Sequence, residues 1–212
     1  TLSGSSAASD VYKRQILRLF VRKLRDSSDF PIAPFKGSNS LASPVSTPVI
    51  CAYARTPFGR FRGALANYTA VDLGTLAVKG VLQRVGIDPR SGIIDQVYIG
   101  QVLQAGAGQA PARQVAMGAG LPYSTPCTTV NKVCGSSLKA VMIAATEIMA
   151  GRSNVVIAGG MESMSQAPHF IRGARRGDEI SFAELTGILS HDGLKDAYDG
   201  SMMGITGETI AE

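Results

Sequence analysis

Val130-Asn131-Lys132-Val133-Cys134-Gly135-Ser136-Ser137-Leu138-Lys139-Ala140 is the stretch on which the fold turns. Just ahead of Asn131, Cys127-Thr128-Thr129-Val130 is a short β-branched run that reads as a buried strand. Behind it, Leu138, Val141, Met142, Ala145, Ile148 and Met149 recur at helical spacing. A helix is therefore expected from Cys134 to Ala150, closed by Gly151, with those side chains on its apolar face. The junction places a thiol at a helix N-terminus. There the unpaired backbone N–H groups and the positive end of the macrodipole favour thiolate over thiol. Gly135, Ser136 and Ser137 keep the first turn small, so a bulky acyl group has room to reach the sulfur. On the residues alone, two readings stand side by side. Cys134 is an acyl-accepting nucleophile, or it is a buried free cysteine behaving as a small hydrophobe.

Outward from this junction the pattern stays regular. Val49 to Ala54 reads as a strand ended by Arg55-Thr56-Pro57-Phe58-Gly59, and Val71 to Val85 as a helix with Leu73, Leu76, Ala77, Val81 and Leu82 on one side. Val97-Tyr98-Ile99-Gly100 is a second strand. Ala110 to Ala119 is a second helix opened by Pro111, a favoured first-turn residue. Val155 to Gly160 is a fully apolar fourth strand. The order β-α-β-α-β-α-β predicts an α/β fold with a mixed, largely parallel sheet covered by helices. Functional groups in such sheets gather at the carboxyl ends of strands, and Cys134 lies just past one.

The chain has 212 residues, 45% hydrophobic, with 24 Gly and no Trp, enough for one sizeable core linked by tight turns. Cysteines at 51, 127 and 134 form neither an even framework nor a Cys-x-x-Cys pair, which points to a reducing compartment. Cys51 and Cys127 fall inside strand patterns and read as core. No apolar run reaches the length of a bilayer span, and no metal-ligand spacing occurs, so no membrane partner and no metal are expected. Gly106-Ala107-Gly108 lacks the third glycine of a dinucleotide fingerprint and reads as a loop. The net charge of +5 is uneven: ten bases against Asp72, Asp88, Asp95 and Glu147 between Val49 and Gly160, then nine carboxylates against four bases. The bases stand singly, without aromatic interleaving, so a solvated surface is expected and nucleic acid is not.

Residues 1–47 read as a leader outside the domain. Residues 1–15 are linker-like and rich in small residues. The segment 16–47 begins with a basic, apolar run (Ile16 to Arg25) and continues Ser- and Pro-rich, as in a mitochondrial transit segment. Asp26 and Asp29 go against that pattern, and a surface helix or read-through of untranslated sequence explains the stretch as well. Residues 48–160 are expected to form the α/β domain. Residues 161–212 are expected to open a loop or substrate domain that is cut short, because Thr206 to Glu212 reads as a helix stopped mid-turn.

Several ordered motifs together resemble the thiolase family. The Cys134 stretch is similar to its acyl-enzyme signature, and Ala54-Arg55-Thr56-Pro57-Phe58-Gly59 to its first strand and turn. Gly108-Gln109-Ala110-Pro111-Ala112-Arg113-Gln114 resembles its second helix start. Gly159-Gly160-Met161-Glu162-Ser163-Met164-Ser165 resembles the entry to its loop domain. Asp192-Gly193-Leu194-Lys195-Asp196, followed by Met203-Gly204, resembles its substrate loop. The resemblance runs from about Val49 to Glu212. It implies the N-terminal half of a thiolase-like fold and acyl transfer to and from coenzyme A, which serves as substrate with no separate cofactor. Cys134 is then the covalent nucleophile, its own N–H one donor to the thioester oxyanion, and Leu194, Met202 and Met203 are pantetheine- or acyl-facing residues.

The resemblance also implies a homodimer or homotetramer at full length. The activating histidine and second cysteine of the family belong to Gly-His-Pro-type and Cys-x-Gly-Gly-type motifs that do not occur in this sequence. His169 and His191 lie in the irregular tail, where a solvated role is expected even for His191 beside Asp192. Inactivity of this chain by itself is accordingly expected. The Cys127 to Cys134 stretch is closer to the acetyl-CoA acetyltransferase (acetoacetyl-CoA thiolase) branch. Met202, standing where short-chain members carry histidine, resembles the longer-chain 3-ketoacyl-CoA thiolases of fatty-acid β-oxidation instead. A related ketosynthase-type condensing enzyme and an inactive subunit-binding fragment are the remaining alternatives. The expected compartment is mitochondrial, with cytoplasm or peroxisome as alternatives.

Overall fold

The computed structural model describes residues 20–23, 47–174, 177, 181 and 184–211. In chain order the elements are β1 (Phe20–Lys23), β2 (Pro48–Ala52), α1 (Ala70–Arg84), β3 (Gln96–Gly100), α2 (Pro111–Gly118), β4 (Cys127–Val130), α3 (Ser136–Met149) and β5 (Val155–Gly160). A two-stranded ribbon of β6 (His169–Phe170) and β7 (Thr186–Gly187), a π-helical turn Leu189–Leu194 and α4 (Met203–Ala211) follow.

The five-stranded sheet runs β2-β1-β5-β3-β4. Its parallel part is β5-β3-β4, where Val97 faces Cys127 on one side and Ile157 on the other. β1 lies antiparallel to both β2 and β5. Strand side chains alternate between faces, and here the alternation divides the core. Val97, Ile99, Val155 and Ile157 meet α1 and α2 through Val78, Val81, Leu82, Ala112 and Val115. Tyr98, Val156 and Ala158 meet Ala140, Ala144 and Ile148 of α3 on the other face. This is the expected α/β arrangement, with helices on both faces of a mixed sheet. α1 starts on a capping box. Thr69 Oγ1 accepts from the Asp72 N–H at 3.1 Å, and the Asp72 carboxylate accepts from the Thr69 N–H at 2.9 Å.

Three placements differ from expectation. α3 begins at Ser136, so Cys134 stands ahead of the helix rather than in it, and its buried stripe is Ser136, Ala140, Ala144 and Ile148. Leu138, Met142 and Met149, expected inward, are exposed. The reason is close approach. Gly100 and Gly160 pair across β3 and β5, and a Cβ on Gly100 would sit 2.6 Å from the backbone of Ser136 and Ser137. One on Gly160 would sit 2.6 Å from the Ser137 Cβ. The N-terminal turn of α3 rests on bare sheet, so only small side chains fit at 136, 140 and 144. Cys51, expected in the core, is exposed because it lies on the edge strand β2. Finally, Phe20–Lys23 falls within the expected leader yet forms a sheet strand. An apolar, basic run with Phe and Val suits an antiparallel strand as readily as a surface helix. The linker-like residues 1–15 and the rest of the transit-like segment up to 46 lie outside the described residues.

Candidate active site

The carboxyl ends of β3, β4 and β5 lie side by side, and the loops leaving them are tied to one another. After β3 the chain turns through Gln101, Val102 and Leu103. Glu162, two residues past β5, accepts from the Val102 N–H at 2.8 Å and from the Leu103 N–H at 3.2 Å. Burial pushes the Glu162 carboxyl above the usual carboxylate range, and the two backbone N–H groups oppose that shift. Gln101 is 2% exposed and donates to the Leu103 carbonyl at 3.1 Å, while its Oε1 is buried with no hydrogen-bond partner among the described residues. Asn131, just past β4, donates to the Val102 carbonyl at 3.4 Å.

Cys134 follows from this scaffold. Asn131 Oδ1 accepts from the Val133 N–H at 3.0 Å, and Val133 itself has φ 46°. A left-handed backbone is unfavourable for a β-branched residue, at a cost of about 1–3 kcal/mol. The Gly135 N–H donates back to the Lys132 carbonyl and the Ser136 N–H to the Val133 carbonyl, both at 3.0 Å. Cys134 thus sits on a tight turn, one residue before the N-cap Gly135, and is exposed rather than buried. Cys127 is half-buried, its Sγ 3.2 Å from the Thr125 carbonyl. Burial pushes its thiol up, with Arg113 pulling the other way.

A cavity of about 850 Å³ opens between the Thr56–Phe61 loop, the Glu162–Ser165 segment and the π-helical turn. Leu65, Leu73, Leu189, Leu194 and Met202 supply its apolar wall, and Arg60, Glu162 and Ser190 its polar points. Leu194 and Met202 therefore share one cavity. Met203, at the start of α4, is 48% exposed and does not line it, nor does Cys134. Lys195 and Met202 are bridged antiparallel, and Asp196 folds the intervening turn by accepting from the Tyr198 and Asp199 N–H groups. Pairing with the rest of the wall also fixes the Arg62 N–H on Ser165 Oγ at 2.9 Å and Ser163 Oγ on the Tyr68 carbonyl at 2.7 Å.

His191 Nδ1 lies 2.6 Å from Asp192 Oδ1 in an exposed pair, with Phe170 edge-on at 5.2 Å, and it does not line the cavity. Among the described residues no group of three or more His, Cys, Asp or Glu gathers as a metal site, and no helix is long and apolar enough to cross a membrane. Gly100 and Gln101 carry no motif in the sequence, Ser136 is expected only to keep the first turn small, and Glu162 only as part of the segment that resembles the loop-domain entry. The Gly100 signal was available in a glycine ending an apolar strand, but the partner that makes it matter lies on α3.

The five-stranded α/β sheet thus carries an exposed cysteine on a strained turn ahead of a helix. The sequence matches the family described as thiolase, N-terminal domain, over residues 48–212, and the chain belongs to the thiolase family. It is 49% identical over 164 residues to an acetyl-CoA acetyltransferase of Cupriavidus necator, covering 77% of this chain and 41% of the relative. A cytosolic acetyl-CoA acetyltransferase of Gibberella zeae and an acetyl-CoA acetyltransferase of Schizosaccharomyces pombe are each 49% identical over 163 residues, again 77% of this chain and 41% of theirs. The chain thus spans about two fifths of the length of these relatives.

Proposed function

We propose that the chain is the N-terminal part of an acetyl-CoA C-acetyltransferase, with Cys134 as the covalent nucleophile. The observation that carries the reading is an exposed thiol on a left-handed turn ahead of α3, at the carboxyl end of a parallel sheet. In the degradative direction the Cys134 thiolate attacks the 3-keto carbon of acetoacetyl-CoA. The bond between C2 and C3 breaks, and protonation of C2 releases one acetyl-CoA. The thiol of free coenzyme A then attacks acetyl-Cys134, releasing the second acetyl-CoA and returning the thiolate. The synthetic direction is the reverse. The Cys134 N–H is one oxyanion donor in this scheme.

Leu194 and Met202 are the acyl- or pantetheine-facing residues of the cavity, and Met203, next to Met202 at the start of α4, is the third such residue. An adaptable thioether in the wall favours, as a second reading, a longer 3-ketoacyl chain. The subunit-binding reading has its own observation, the exposed apolar stripe Leu138, Met142 and Met149 on α3, which also suits a homodimer or homotetramer. The 212-residue chain alone carries out no net thiolysis, because the Gly-His-Pro-type and Cys-x-Gly-Gly-type motifs that carry the family's activating histidine and second cysteine do not occur in it. The basic, apolar start of segment 16–47 supports a mitochondrial address, against which stands the pairing of Phe20–Lys23 in the sheet; a fluorescent protein fused to residues 1–47 that stays cytosolic would refute that address.

The test is incubation with acetyl-CoA followed by mass analysis of peptides. A hydroxylamine-labile acetyl group is expected on the Cys134 peptide and is lost in Cys134→Ala. Acetylation that survives the substitution, or none in the parent chain, sinks the nucleophile assignment. Measurable thiolysis of acetoacetyl-CoA by the chain alone overturns the predicted inactivity.

A further inference from the structure

Val133 stands at φ 46°, and a single side chain ties the peptide unit that follows it to the one that precedes Lys132. Ser136 Oγ accepts from the Lys132 N–H at 2.8 Å and donates to the Val133 carbonyl at 2.5 Å. Ser136 is 4% exposed and lies against Gly100, so water does not compete for these bonds and the serine has no room to move. Asn131 holds the same turn from its exposed side through the Val133 N–H. Cys134 is itself exposed, so its direction is set by the turn and not by packing around the sulfur.

We propose that Ser136 is a positioning residue for Cys134: its two hydrogen bonds hold Val133 in the left-handed conformation and so fix where the sulfur stands before α3. The inference rests on Cys134 being the nucleophile. Loss of the hydroxyl leaves the Lys132 N–H without its acceptor and lets Val133 relax toward negative φ, which carries Cys134 away from the helix start. Glycine at 133 adopts the left-handed conformation without penalty, so the clamp becomes dispensable there. That dependence separates positioning from mere packing, because a packing defect at 136 is indifferent to residue 133.

Two measurements on the full chain decide it. Amide exchange in the parent protein is expected to be slowed roughly 100-fold or more at Lys132, and an unprotected Lys132 overturns the clamp even if the serine variant fails to fold. The rate of Cys134 carboxamidomethylation by iodoacetamide, read by peptide mass, is then compared in the parent, Ser136→Ala, Val133→Gly and the double variant. Ser136→Ala is expected to slow the reaction roughly threefold or more, since a displaced sulfur loses the favourable helix start. In the Val133→Gly background the same change is expected to alter the rate less than about 1.5-fold. Equal slowing in both backgrounds, or none in either, overturns the proposal. Iodoacetamide requires no acyl-CoA chemistry. A Cys134 that follows this pattern yet takes no acetyl group from acetyl-CoA refutes the acyl-transfer reading and leaves the positioning role standing.

Discussion

At the β4–α3 junction, the side chains of Asn131 and Ser136 and the backbone of 132–136 are spent on holding one turn, and the sheet beneath is bare glycine. The cavity wall around Leu194 and Met202 is made otherwise. It is closed by its own short turn through Asp196 and is built mainly of apolar side chains, with Glu162 as its half-buried polar point. Position matters in the first region and volume in the second. Substitutions by a single methyl are therefore expected to be severe at the junction and mild on the wall.

The largest effect separates chemistry from scaffold. Cys134→Ala is expected to reduce acetyl uptake from acetyl-CoA at least ~10³-fold with an unchanged urea midpoint. Next comes Gly100→Ala, which forces a Cβ to within 2.6 Å of the Ser136 and Ser137 backbone. Overpacking of this kind is expected to cost about 3 kcal/mol in urea unfolding, and a loss under about 1 kcal/mol would break the contrast. Glu162→Gln presents an amide group where two N–H donors converge, and a cost of about 1–3 kcal/mol is expected in acid, shrinking as pH rises.

The pH dependence of Glu162 has a definite sign. Burial raises its folded-state pKa, so its contribution to stability is present below the ordinary glutamate range and is lost as pH rises through the raised value. Glu162→Gln should remove that decline from urea midpoints taken between about pH 4 and about pH 8. Asp72 works in the opposite sense. The Thr69 hydroxyl and N–H hold its carboxyl low, so its contribution is present above the ordinary aspartate range and is lost as pH falls.

On the wall, Leu194→Ala is expected to weaken acyl-CoA binding roughly tenfold while leaving Cys134 alkylation unaltered, which a titration and a rate measurement check together. The smallest effect has the reverse sign. Gly207 of α4 has open space where a Cβ would go, so Gly207→Ala should stabilise the chain by about 0.5–1 kcal/mol if α4 contributes to cooperative unfolding.

Strand and helix positions were legible because periodicity is local: α2 was expected at 110–119 and is Pro111–Gly118, and β5 fell on Val155–Gly160 as expected. The inward face of α3 was not. Large apolar residues at 138, 142 and 149 suggest one face, but the distance between helix and sheet is set by glycines at 100 and 160, far away in sequence. Cys134 and Leu194 could be named from motifs, since each motif is contiguous. The contacts of Gln101, Ser136 and Glu162 could not be read there, because they are made across the loops that follow β3, β4 and β5. Cys51 misled for a related reason: an apolar strand looks the same at an edge as at the centre.

Cys51 also supplies the most direct test of the central claim, for it is a second exposed thiol outside the turn. Iodoacetamide at neutral pH, with peptide-resolved rates, sets the two against each other in one molecule. The account predicts that Cys134 reacts roughly tenfold faster than Cys51 and that acetyl-CoA protects Cys134 selectively. Equal rates with no protection would contradict it.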